Sequence, residues 1–226
     1  MAKFSCLKCG VCCANIRQKI ESDDSDFIKA NLFGNSPIVQ LVSVEDMSLP
    51  IWPWEAEILR KKAEELKVKA DIKPFRTVFD INKNKSLILS YFMDHDSCPF
   101  LKENQCIVYN HRPLVCRQFP IQTIGLEKSP VFAKCPALDN TSFVNKEEIN
   151  DFFGESYHSA VKNDSIIEWQ NKKIIELIKN KIIRPVKSYP YNFLLKRVEN
   201  SEKVDFTDFL VEENISAERE IEKIIK

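Results

Sequence analysis

The residues with the most chemistry in this chain are its eight cysteines. Cys6, Cys9, Cys12 and Cys13 crowd into FSCLKCGVCCAN near the start, whereas Cys98, Cys106, Cys116 and Cys135 lie far downstream. Cys-x-x-Cys is the shortest spacing at which two thiolates converge comfortably on one centre, and a third Cys two residues on continues such a loop, as in ferredoxin-type runs. A zinc ribbon pairs one Cys-x-x-Cys with a second; the downstream four supply no second pair. Cys98 and Cys135 each precede a proline, as does the last cysteine of the bacterial ferredoxin run. All-thiolate ligation suits iron–sulfur as well as zinc. Adjacent Cys12 and Cys13 raise a separate question, because consecutive side chains tend to diverge. The expectation is that one joins Cys6 and Cys9 while the other turns toward the downstream set, or that one is a free thiol.

Composition narrows what those thiols can be for. The first residues hold no apolar stretch of signal-peptide length. The expected location is therefore the reducing cytoplasm, where clustered cysteines more often mean metal or redox chemistry than disulfides. Eight Cys in 226 residues also fall well short of a disulfide scaffold's density. Lys plus Arg equals Asp plus Glu at 33 each, so no basic footprint for nucleic acid is expected. No apolar run approaches the roughly 18 residues of a membrane span. A protein partner or substrate is left open. With 44% hydrophobic residues and 15 Phe, the chain can bury a sizeable core.

Other reactive side chains lie close to the cysteines. His95 and His111 could be ligands, although eight thiols leave them unnecessary; His158, on a helical stretch, is expected to be structural. Arg112 and Arg117 bracket Cys116 and could offset the negative charge of a four-thiolate centre, or form ordinary surface ion pairs. Tyr109 is expected in the core.

The elements that must position these residues are read from periodicity and turn signals. SDDSDFIKANLF (22–33) suggests a short helix, and SVED (43–46) fits a capping box. WEAEILRKKAEELKVK predicts an amphipathic helix from Trp54, with Pro53 at its first position. FRTVFDI (75–81) and SLILSYFM (86–93), joined by NKNK, predict a β-hairpin that delivers the chain to Cys98. Between 98 and 139 the closely spaced Pro and Cys imply short turns, with Pro113 opening the turn that presents Cys116. After 140, EEINDFFGESYHSAV, SIIEWQNKKIIELIKNKII and SAEREIEKIIK read as helices. The expected fold is α+β: a small irregular cysteine-rich region (1–140) organised by metal and containing a β-hairpin, covered by a helical C-terminal extension (141–226). All eight sulfurs are expected in one compact region.

Taken together, CLKCGVCC (6–13), CPFL (98–101), CIVYNHRPLVCRQFP (106–120) and Cys135 resemble the CxxCxxCC cysteine-cluster proteins, the YkgJ-type zinc- or iron-chelating domains. The resemblance spans about residues 4–140. It implies a cytoplasmic protein that holds an iron–sulfur cluster, of the 4Fe–4S kind, or zinc through Cys6, Cys9, Cys12, Cys13, Cys98, Cys106, Cys116 and Cys135. One branch of the family is similar to flagellin lysine N-methylase, which implies methyl transfer to protein lysines as an alternative. Against this, the chain has only 4 Gly and no Gly-rich loop for S-adenosylmethionine, and its spacing is not the CxxxCxxC of radical-SAM enzymes. A third reading is a zinc-stabilised interaction module.

Overall fold

A four-stranded sheet forms where the chain is richest in β-branched and aromatic residues. The structure is a computed structural model and describes residues 3–17, 37–43, 46–123, 131–133, 135–138, 146–185, 191–215 and 218–225. The helix expected over 22–33 lies outside the described residues. Strands β2 (Ile72–Asp80) and β3 (Lys85–Met93) form the expected hairpin, registered from Ile72↔Met93 to Asp80↔Lys85. Its turn comes one residue earlier than NKNK suggests, because Asn84 takes the left-handed conformation (φ 51°) and Lys85 already belongs to β3. At one edge, β1 (Ile38–Gln40) pairs antiparallel with β2. At the other edge, β8 (Glu202–Asp205) pairs parallel with β3. The segment after 140 thus supplies a strand as well as helices.

Helix α2 (Pro53–Glu65) begins with Pro53 at its first position, as expected. EEINDFFGESYHSAV is not one helix. Gly154 stands at φ 50°, a conformation that only glycine adopts readily, and divides it into α4 (Lys146–Phe153) and α5 (Glu155–Lys179). Helix α5 then continues without interruption through SIIEWQNKKIIELIK. Among the described residues, three further helices follow: α6 (Tyr191–Glu199), α7 (Phe206–Glu212) and α8 (Glu218–Ile225). At SVED one of the two capping-box bonds forms, the Asp46 N–H donating to Ser43 Oγ (3.2 Å), while the Ser43 hydroxyl donates to Asp46 Oδ2 (2.9 Å); the described residues 46–50 are not helical.

The cores explain how the two parts of the chain are joined. Val78, Leu87 and Leu89 of the hairpin pack with Trp169, Ile174 and Leu177 of α5 and with Phe206, Phe209 and Leu210 of α7. Phe79 packs with Val39 of β1 and with Leu194 and Val198 of α6. A third core joins Ala56, Leu59 and Ala63 of α2 to Ile72, Met93, Phe100 and Val108, and the partly buried Cys98 and Cys106 pack against it. Hydrophobic packing therefore runs from the sheet to the thiols. Among the described residues, no helix is long and apolar enough to cross a membrane.

Candidate metal centre

The CxxCxxCC loop is fixed at three points. At its start, the Phe4 N–H donates to the Phe152 carbonyl (2.7 Å), and the Phe4 ring packs 5.2 Å from that of Phe153 in α4. At its end, Ile16 is buried in the α2 core and its N–H donates to the Asp96 carbonyl (3.0 Å). Between them the one-turn helix α1 (Val11–Ala14) carries Cys12 and Cys13, and the Cys13 carbonyl accepts from the Cys98 N–H (2.7 Å). Gly10 caps α1 at φ 74°, where a Cβ would sit 3.3 Å from Leu101 Cδ1 and 3.4 Å from Asn104 Cα. Close approach to the hairpin of β4 (Leu101–Lys102) and β5 (Gln105–Cys106) therefore requires glycine here.

Short elements bring in the downstream cysteines. Cys98 precedes the β4–β5 hairpin and Cys106 ends it. After a 3₁₀ turn (Tyr109–His111), Pro113 caps α3 (Leu114–Gln118) rather than opening it as a helical residue. Cys116 lies within α3, whose Leu114 is buried against Trp52 and Ile166. The β6 (Ile121–Thr123) and β7 (Val131–Phe132) pair then folds the chain back to Cys135.

All eight cysteines are free thiols. Burial pushes Cys116 up strongly, and the charges of Cys98, Glu55, Cys12 and Cys106 add to the effect in that order. Burial likewise pushes Cys98 up to about 11, with Cys106 and Cys12 contributing, and raises Cys106, on which Cys12 also acts. Cys12, Cys98, Cys106 and Cys116 thus feel one another's charge. Cys135 is raised by burial and then by Cys9, Cys6 and Cys12, which puts it with the exposed N-terminal thiols. Cys12 acts on both groups. Among the described residues, no three Cys, His, Asp or Glu side chains surround a common point as metal ligands do. Burial and mutual charge are what relate these thiols. Clustered, partly desolvated thiols are the donor set that a thiophilic metal takes, since binding releases the protons that burial retains.

Cys12 and Cys13 do not diverge. Their sulfurs lie 3.8 Å apart, and hydrogen bonding to Cys13 is the main cause of a strongly raised Cys12. The 3.8 Å approach is a hydrogen bond between the two thiols, so Cys13 stands directly beside Cys12.

The surroundings correct several expectations. Arg112 favours the thiolate forms of Cys12 and Cys106, as a charge-offsetting residue should. Its guanidinium also lies 3.8 Å from the Tyr109 ring centre, with the Lys8 ammonium 5.0 Å from the same ring. Tyr109 is 37% exposed and belongs to no core. His95 Nε2 accepts from the Asp71 N–H (2.9 Å), which gives that histidine a structural partner. Glu55 has no counterpart in the sequence reading. It is buried on α2, and its carboxylate accepts from the N–H groups of Trp52 (3.2 Å) and Leu114 (2.7 Å). It thereby ties the start of α2 to the start of α3, the helix that presents Cys116. Burial pushes its carboxyl up to about 7, against the pull of both N–H groups and of Arg117. A Glu three residues after the position preceding a helix-opening proline was the available signal.

Among families, a model described as "CxxCxxCC: Putative zinc- or iron-chelating domain" matches residues 5–149. No curated protein and no solved structure matches the chain.

Proposed function

The chain belongs to the CxxCxxCC family of zinc- or iron-chelating domains, and on that premise we propose that it is a cytoplasmic protein whose cysteines hold an iron–sulfur cluster, with zinc as the competing ion. The reading is supported by the hydrogen bond from the Cys98 N–H to the Cys13 carbonyl (2.7 Å), which ties α1 to the downstream stretch, and by the partial burial of Cys12, Cys98, Cys106 and Cys116, whose charges act on one another. These four are the proposed inner ligand set. Cys6, Cys9 and Cys135 form an outer set, and Cys13 stands next to the shared Cys12. Iron is favoured over zinc by the missing second Cys-x-x-Cys and by the prolines after Cys98 and Cys135.

When bound, such a cluster exchanges single electrons or ties separate chain segments together. The chain's own residues do the positioning. Gly10 lets α1 approach Leu101, Glu55 holds the start of α3, and Arg112 offsets thiolate charge. A four-thiolate centre keeps a net charge near −2, so a cation close to Cys12 and Cys106 favours their ligand forms.

Anaerobic reconstitution tests the reading. Metal-stripped protein is incubated with ferrous iron and sulfide, and separately with zinc, and then desalted and assayed. Iron and sulfide retained in equal amounts, with the visible absorption of thiolate-bound iron, is the expected result. Stoichiometric zinc retention without retained iron and sulfide would replace the cluster by zinc. Retention of neither would remove metal binding altogether.

A further inference from the structure

Strand β2 contains a cation that no acid among the described residues answers. Arg76 stands in register with Gln40 of β1 and with Ser90 of β3. The β2–β3 pairing is irregular on both sides of it, between Pro74 and Arg76 and between Arg76 and Thr77. Such bulges re-aim a side chain and gather near functional sites. The residue keeps some exposure, yet its Nε is shielded from solvent and has no acceptor. Among the described residues no carboxylate pairs with it, and burial lowers its affinity for the proton with no opposing charge. The Ser90 hydroxyl is shielded as well and has no hydrogen-bond partner. The Phe75 ring, 5.0 Å from the guanidinium carbon, favours the cation. That contact offers no acceptor in the plane of the N–H groups.

A half-buried guanidinium with a shielded, unpaired Nε gains from an anionic partner, and arginine does not shed its charge by losing its proton. The fork of a guanidinium matches the two oxygens of a carboxylate or phosphate, and a neighbouring hydroxyl can donate to the same group. From these observations we infer that Arg76, with Ser90 across the strand, binds an oxyanion: the carboxylate or phosphate group of a small molecule. The remaining exposure of Arg76 gives the ion a way in. The site uses none of the cysteines.

Thermal unfolding of the full chain, in one fixed metal state, provides the test. The probes are inorganic phosphate and succinate, with sodium chloride at matched ionic strength as the control. A saturable rise in midpoint with phosphate, with succinate or with both is expected, since a ligand that binds the folded state stabilises it by mass action. Phosphate alone identifies a phosphoryl ligand and succinate alone a carboxylate; equal response identifies a site that reads only the shared oxyanion. Arg76→Met abolishes the saturable rise. Ser90→Ala, which hardly changes side-chain volume, weakens apparent affinity about tenfold, the scale of one charge-assisted hydrogen bond. If neither probe exceeds chloride in the wild type, the inference falls. It falls equally if the rise does not saturate and persists in Arg76→Met, because that is the general salting effect on apolar burial.

Discussion

Replacing Glu55 by alanine should destabilise the protein by an amount that depends on pH. The side chain is 7% exposed and accepts two backbone N–H bonds, from Trp52 and Leu114. Orphaning two buried donors costs about 1–3 kcal/mol each. Against this stands the burial penalty on the charged carboxyl, which moves it from 4.5 to about 7. A folded-state value above the unfolded one means that the folded protein binds more protons between these limits. Stability from this group is therefore fully present below 4.5 and is lost as pH rises toward 7. At about 1.4 kcal/mol per unit, the loss across the window is about 3 kcal/mol. The alanine variant lacks that dependence. Its deficit relative to wild type should be largest near the acid end of the window and about 3 kcal/mol smaller above pH 7. Urea unfolding of both proteins at several pH values, in the same metal state, measures the difference directly. A deficit that stays constant with pH, or grows toward alkaline pH, would refute the argument.

Four further outcomes follow from the structure. Gly10→Ala forces a left-handed residue against Leu101 and should cost about 1–2 kcal/mol in denaturant unfolding while reducing metal retention. Phe206→Ala empties a fully buried position in the core between the hairpin and α5, and should cost about 3–5 kcal/mol by the same assay. Arg112→Gln removes the charge that favours thiolate at Cys12 and Cys106, so both should alkylate more slowly at a fixed pH in metal-free protein, as peptide mass spectrometry can follow. Stripping the metal should reduce hydrogen-exchange protection around α1, α3 and the β4–β5 hairpin more than in α5 and α7; equal protection in both forms would deny the metal a structural role.

How far the sequence revealed the fold depended on whether local pattern or distant contact decided each element. The β2–β3 hairpin was legible because both strands are dense in β-branched and aromatic residues around a polar turn. Helix α2 was legible from Pro53 and its apolar face. Strand β8 was not, since EKVD has no alternation and becomes a strand only by pairing parallel with β3, more than a hundred residues earlier. The continuity of α5 through the polar KNDS stretch was hidden for a related reason. Asn163 is buried there, where its side-chain oxygen accepts from Trp52 Nε1 (2.9 Å), a tertiary contact that overrides the local signal. At the site, the eight cysteines were obvious from their spacing, but their grouping was not. Cys135 looks like one of the downstream set until the β6–β7 pair folds it back toward Cys6 and Cys9. The 3.8 Å approach of Cys12 and Cys13 depends on the tight turn of α1, which spacing alone does not reveal.

The central claim is that thiols from distant segments share one metal centre, and its most direct test is the metal content of protein isolated under strict anaerobiosis. Iron, zinc and acid-labile sulfide are measured per chain in the wild type, in Cys98→Ser and in Cys116→Ser, with thiol alkylation mapped in the same samples. The wild type should hold iron with matching sulfide and protect Cys12, Cys98, Cys106 and Cys116 from alkylation, while each variant loses both the metal and the protection of the remaining three. Wild-type protein without bound metal and with all eight thiols equally reactive, or variants that keep the full wild-type content, would contradict the account.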